Sequence, residues 1–109
     1  MTGLDAFEAL DLRAGRIIRV EPNEKARVPA WKLWIDLGPL GTKTSSAQLT
    51  DLYGTEDLKG RMVVVAINLG TRRIAGFPSE VLVLGVPDEQ GRVVLLTTER
   101  DVPPGGRVY

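Results

Sequence analysis

The chain contains no cysteine and no histidine. The first absence excludes a disulfide framework, a thiol nucleophile, an iron–sulfur cluster and a zinc finger. The second removes the imidazole base, the Ser-His-Asp triad and any zinc site with histidine ligands. Only an oxygen-ligated metal site of the magnesium or calcium kind is left open, and no motif for one is present, so neither metal nor cofactor is expected. Apolar runs are short: the longest, Met62 to Ile67, falls far below the ~18 residues of a membrane span. Residues Met1 to Leu10 carry Asp5 and Glu8 and no base, unlike a signal peptide. A cytoplasmic location is expected. No G-K-[ST] follows the glycines between Gly70 and Gly76, so there is no phosphate loop. Asp88 and Glu89 sit together in a turn, which is ordinary turn chemistry and not a catalytic pair. These gaps argue against an enzyme.

What is present is an ordinary globular composition. There are 109 residues, 43% of them apolar and 26% charged, enough for one domain, 1–109, with one modest core. Lys+Arg and Asp+Glu both number 14, so the net charge is zero. The distribution is uneven. Arg13 to Lys32 carries six bases against two acids, and Lys59 to Ser79 carries four bases and no acid. Glu80 to Asp101 carries five acids against two bases. If the first two segments lie side by side they form a basic face that attracts phosphates through counterion release.

Hydrophobic periodicity predicts mainly strands. Thr2 and Asp5 signal a helix start, and Leu4, Phe7 and Leu10 mark one stripe of a short N-terminal helix. Strands are expected at 11–20, 31–37, 42–47, 61–67, 80–86 and 92–98. Gly15 inside the first predicts a bend or bulge. Gln48 to Gly60 reads as one or two helical turns, and Asn68 to Ser79 as a long basic loop. Five to six short strands with a helical insert after the third predict an all-β, five-stranded OB-fold barrel.

Three segments in order, D-L-R-A-G-R-I-I at 11–18, K-L-W-I-D-L-G at 32–38 and I-N-L-G-T-R-R-I-A-G-F-P-S-E at 67–80, resemble the tRNA-binding OB-fold family. The stretches K-T-S-S-A-Q-L-T-D-L-Y, S-E-V-L-V-L-G-V-P-D-E and E-R-D-V-P-P-G-G-R-V-Y bring the resemblance closer to one branch, the export-related CsaA chaperones. The resemblance covers about residues 7–109. It implies an OB barrel, a homodimer built with helical and terminal extensions, and binding without catalysis. Unfolded or precursor polypeptides are the implied partners, with tRNA as the alternative ligand and no membrane insertion.

The residues offer specific candidates. Alternation places Lys32 and Trp34 on the outer side of their strand, where a Trp beside a cation stacks on a base or packs on an apolar side chain, unless a helix or a second copy covers it. Lys43 and Ser46 add a cation and a hydroxyl to the next strand; without the resemblance they are simply a solvated polar face. Arg72 and Arg73 suit a phosphate clamp. Asn68 and Ser79 match positions that contact nucleic acid in tRNA-binding relatives, although Asn68 also fits plain loop chemistry. Glu80 departs from the pattern of those relatives, and a carboxylate beside Ser79 disfavours phosphate. Leu4, Phe7, Val102 and Val108 are the candidates for the dimer interface.

Overall fold

The structure is a computed structural model that describes residues 2–109; Met1, the first residue of the expected domain, lies outside them. The chain runs α1 (Gly3–Ala9), β1 (Leu12–Pro22), β2 (Trp31–Asp36), a 3-10 turn (Gly38–Leu40), β3 (Thr42–Ala47), α2 (Thr55–Leu58) and β4 (Met62–Ala66). It continues with β5 (Arg72–Ile74), β6 (Phe77–Ser79), β7 (Leu82–Val83), β8 (Gly85–Pro87) and β9 (Val93–Leu95). Five strands form one antiparallel sheet in the order β3-β2-β1-β4-β7. The amides of Glu80 and Val81 both donate to the Thr44 carbonyl, at 2.8 and 3.1 Å, and nearly close the sheet into the expected OB-like barrel.

β1 makes the barrel possible because it serves both halves of the wall. Leu12 to Arg16 pair with β4, and Arg16 to Pro22 pair with β2. Where β2 has departed, the C-terminal tail takes its place: Ala14 exchanges backbone hydrogen bonds with Gly105 and Gly106, and Val108 donates to Leu12. The expected irregularity in this strand comes three residues after Gly15. Register shifts between Ile17 and Arg19, so Ile18 is the extra residue and points to solvent while Ile17 and Val20 stay on the core side. Gly15 is needed for closeness instead, since a Cβ there would stand 2.6 Å from Ile35 Cγ2.

The core is apolar and continuous: Ile17, Leu33, Ile35, Leu37, Leu58, Val63 and Val65 are fully buried. Trp31 packs at its edge, as expected for a core-side residue, and its indole N–H donates to the Tyr53 carbonyl at 2.9 Å. Thr2 caps α1 by accepting from the Asp5 amide at 3.2 Å, with Asp5 accepting in return from the Thr2 amide.

Two expected elements differ. Residues 68–79 are no simple loop: Arg72–Ile74 and Phe77–Ser79 pair as a tight hairpin through Ala75 (φ 52°) and Gly76 (φ 82°). Two successive positive φ angles define a type I′ turn, and Ala-Gly lacks the Asn-Gly or Asp-Gly signature that normally marks it. The expected strand 80–86 is broken into β7 and β8, because after Leu84 the chain leaves β4 to pair with β9.

Candidate nucleic-acid and polypeptide interface

The β5–β6 hairpin brings the two basic segments together. Asn23 holds it: its Nδ2 donates to the Ile74 carbonyl and to Ser46 Oγ, both at 3.2 Å. Ser79 Oγ accepts from the Ser46 amide at 3.0 Å, so Ser46 and Ser79 form one polar seam between β3 and β6. The β1–β2 loop folds against the same hairpin, closed at its base by the Asn23 amide donating to Ala30. A cavity of about 480 Å³ lies between them, with Lys25, Arg27 and Arg73 in its lining.

Lys32 and Trp34 stand on the outer side of β2, as expected, with Leu33 and Ile35 buried on the other. Trp34 is not an open platform. The Arg19 guanidinium lies 4.4 Å from its ring centroid, and Phe77 meets it edge-on at 5.4 Å. Lys32 Nζ sits 5.2 Å from the Phe77 ring. The covering groups belong to this chain itself, one from β1 and one from β6. Arg19 and Phe77 therefore belong to the site although sequence reasoning singled out neither; only the pairing across the bulge and the hairpin brings them to Trp34.

Other expected members separate. Arg72 and Arg73 are successive residues of one strand and point to opposite faces, so they do not act as a clamp. Arg73 borders the cavity and donates to the Gly76 carbonyl at 3.1 Å; Arg72 does not line it. Lys43 pairs with Ile35 on the other side of β3 from Ser46, in a separate hollow with Leu40 and Glu80. Asn68 uses its amide on the chain: Oδ1 accepts from the Asp11 amide at 2.9 Å and Nδ2 donates to Ala9 at 2.8 Å, fastening α1 to β1. The Glu80 carboxylate turns onto β3, accepting from the Thr44 amide at 3.1 Å with the Thr44 hydroxyl 2.8 Å away.

Electrostatically the two sides of the molecule differ. Arg13 and Arg107 share Asp11, Arg16 meets Asp101, and Arg92 meets Asp88. Hydrogen bonding from the Arg13 guanidinium, aided by its charge and that of Arg107, holds the Asp11 carboxyl below its ordinary value of 3.8. Asp88 is lowered too, mainly by the Arg92 backbone amide. Around the hairpin, Arg19 is engaged by Glu21. Lys25, Arg27, Lys32, Arg72 and Arg73 have no carboxylate at salt-bridge distance among the described residues.

Away from the hairpin, several exposed side chains are apolar. Val86 and Val94 face each other across β8 and β9, with Leu96 following on from β9 and Leu82 on β7 before them. Leu82 is 52% and Val86 48% exposed. Around the tail, Leu4, Phe7 and Val108 line one hollow of about 500 Å³, and Val102 and Val108 an adjoining one of about 540 Å³. The four interface candidates are thus brought together. No helix among the described residues is long and apolar enough to cross a membrane, and no cluster among them has the makings of a metal site.

The family model described as "Putative tRNA binding domain" matches residues 12–107. The methionine–tRNA ligase of Archaeoglobus fulgidus is 36% identical over 105 residues, covering 96% of this chain but 16% of the ligase. The chain thus spans about a sixth of the length of such curated relatives. The crystal structure of the chaperone CsaA from Bacillus anthracis is 47% identical with a TM-score of 0.92, covering 100% of this chain and 99% of that one. That of the CsaA chaperone protein from Picrophilus torridus is 37% identical, also at 0.92, with both chains fully covered. The chain belongs to the tRNA-binding domain family.

Proposed function

We propose that this member of the tRNA-binding domain family is a cytoplasmic chaperone of the CsaA type that captures unfolded or export-bound polypeptides. The supporting observation is the exposed apolar sheet face of Leu82, Val86, Val94 and Leu96, on a chain similar over its whole length to two CsaA structures. A contiguous apolar face on a small domain marks a binding surface. Burying apolar area yields about 25 cal/mol per Å², so capture is a reversible equilibrium driven by client side chains and uses no ATP. The test is suppression of aggregation of a chemically denatured protein. Val86→Asp with Leu96→Asp is expected to abolish it; unchanged suppression overturns the reading.

The working unit is a homodimer. Helix α1 has seven residues and no buried side chain, with Leu4 66% exposed. A helix that short is unstable alone in water, so its apolar stripe calls for a cover. A second copy laid over Leu4, Phe7, Val102 and Val108 supplies it, and symmetry lets the same patch serve both partners. Light scattering that finds only monomer at micromolar concentration contradicts this.

A second reading, structure-specific tRNA binding without catalysis, is supported by the five uncompensated cations around the hairpin. Such a surface recognises backbone and shape. It predicts affinity for bulk tRNA that falls steeply with salt.

A further inference from the structure

We infer that the open end of the barrel is a site for one free apolar α-amino acid, side chain inside and both charged groups at the rim. Antiparallel pairing puts the ends of β2 and β4 and the starts of β3 and β7 at one end of the sheet. Helix α2 lies at the other end, between β3 and β4, and its fully buried Leu58 plugs the core there. At the first end a hollow of about 330 Å³ opens, lined by the core residues Leu37, Ile67 and Val81 and by exposed Leu40. Barrel mouths recur as ligand sites, and this volume lies at the small end of their ~300–1,000 Å³ range. Lys43 and Glu80 complete the lining that matters for recognition. Lys43 pairs with Ile35, and Ser45, next on that side of β3, is buried, so the lysine leaves the strand on the core side. Its stem runs along apolar surface and its ammonium reaches the rim. Glu80 is fixed in place: Oε1 accepts from the Thr44 amide at 3.1 Å and lies 2.8 Å from the Thr44 hydroxyl. Its Oε2 has no hydrogen-bond partner among the described residues and is not buried.

The hollow thus holds one cation and one anion that lie beyond salt-bridge distance of each other and of every other charge among the described residues, over an apolar floor. A compact zwitterion with an apolar side chain answers all three features. Its ammonium donates to Glu80 Oε2, its carboxylate accepts from Lys43, and its side chain covers Leu37, Ile67 and Val81. A fatty acid sets a second carboxylate against Glu80, an alkylamine sets a second cation against Lys43, and a phosphate is repelled by Glu80 and leaves the floor bare. The hollow shares no lining residue with the hairpin cavity or with the two tail hollows, so the site rests on neither reading above.

The experiment is an NMR titration of the ¹⁵N-labelled full chain with L-leucine, glycine, L-leucinamide and N-acetyl-L-leucine. The expected result is saturable L-leucine shifts at the backbone amides of Gly70, Thr71 and Val81. Leucinamide lacks the carboxylate and N-acetyl-leucine the ammonium, and each should bind about tenfold more weakly, the loss of one charge-assisted hydrogen bond. Glycine keeps both charges and lacks the side chain, and should bind at least about tenfold more weakly than leucine. Lys43→Met and Glu80→Gln should each weaken leucine about tenfold; the glutamine keeps an acceptor for the Thr44 amide. The losses should cross: Lys43→Met changes leucinamide binding less than about twofold, and Glu80→Gln changes N-acetyl-leucine binding less than about twofold. A general disturbance of the barrel end weakens all ligands alike and does not produce that pattern. Absence of saturable leucine shifts overturns the site, as do glycine binding equally well and shifts centred on Ser46 and Ile74 instead. Leucinamide matching leucine identifies a polypeptide N-terminus as the ligand, and N-acetyl-leucine matching it identifies a C-terminus; either overturns the assignment to a free amino acid.

Discussion

The hairpin end and the tail side of this barrel use the same residue types in opposite ways. On the tail side arginines are matched: Asp11 takes both Arg13 and Arg107, and the hollow beside Arg107 is lined by Leu4, Phe7 and Val108. At the hairpin end Lys25, Arg27 and Arg73 stand without carboxylates among the described residues around a cavity that Ser46 and Gln48 also line, and Arg72 does so on the opposite face of its strand. A chain of zero net charge therefore presents one surface suited to polyanions and another suited to apolar partners. Net charge alone conceals that polarity.

The largest expected effect breaks the tail side. Gly105 has φ +97°, and a Cβ there would come 2.3 Å from the Leu37 carbonyl oxygen. Gly105→Ala should free the tail from β1 and lower stability by about 3 kcal/mol, measured by urea unfolding. An unchanged midpoint means the tail is not fastened as described.

Next comes the proposed dimer. Leu4→Ser with Phe7→Ser removes two apolar side chains from the patch and should raise the dimer dissociation constant about 100-fold by analytical ultracentrifugation. Hairpin-end binding per protomer should stay the same. If tRNA affinity falls in parallel, the two surfaces are coupled through the dimer.

Arg72→Glu with Arg73→Glu sharpens the other half of the contrast. Affinity for tRNA should fall about tenfold or more, and the slope of log affinity against log salt should become shallower by about two. Suppression of aggregation should be untouched. Equal tRNA affinity in the double variant argues against the tRNA reading.

The smallest effect concerns acid. The folded Asp11 carboxyl titrates below its ordinary value of 3.8. Its contribution is complete above that value and is lost as pH falls through the lower, folded one. Asp11→Asn should lower stability slightly at neutral pH and make the loss below pH ~4 less steep. Parallel acid limbs for the variant and the parent would contradict the role given to Arg13 and Arg107.

Much of this was legible in the sequence because the barrel strands carry clear alternation. Trp31, Leu33 and Ile35 on one side of β2 and Lys32 and Trp34 on the other fall as the period of two requires. The hairpin at 72–79 was harder to read, since three-residue strands have almost no period and Ala75 is an unusual turn residue. The run 80–86 reads as one strand because an apolar run has no intrinsic face and nothing in it marks the change of partner from β4 to β9. The site residues were legible as types but not as neighbours. Arg72 and Arg73 are adjacent in sequence and opposed in space, whereas Asn23, Ser46 and Ile74 are distant in sequence and hydrogen-bonded in the fold. Side-chain capture, as at Asn68 and Glu80, leaves no trace in composition.

The central claim is that one barrel carries two separate binding surfaces. The direct measurement is fluorescence anisotropy of labelled bulk tRNA titrated with the protein at low and moderate salt, with and without a saturating unfolded protein. The account predicts salt-steep tRNA binding whose affinity changes less than about twofold when the unfolded chain is present. Stoichiometric displacement of tRNA by the unfolded chain would show a single shared groove and contradict it.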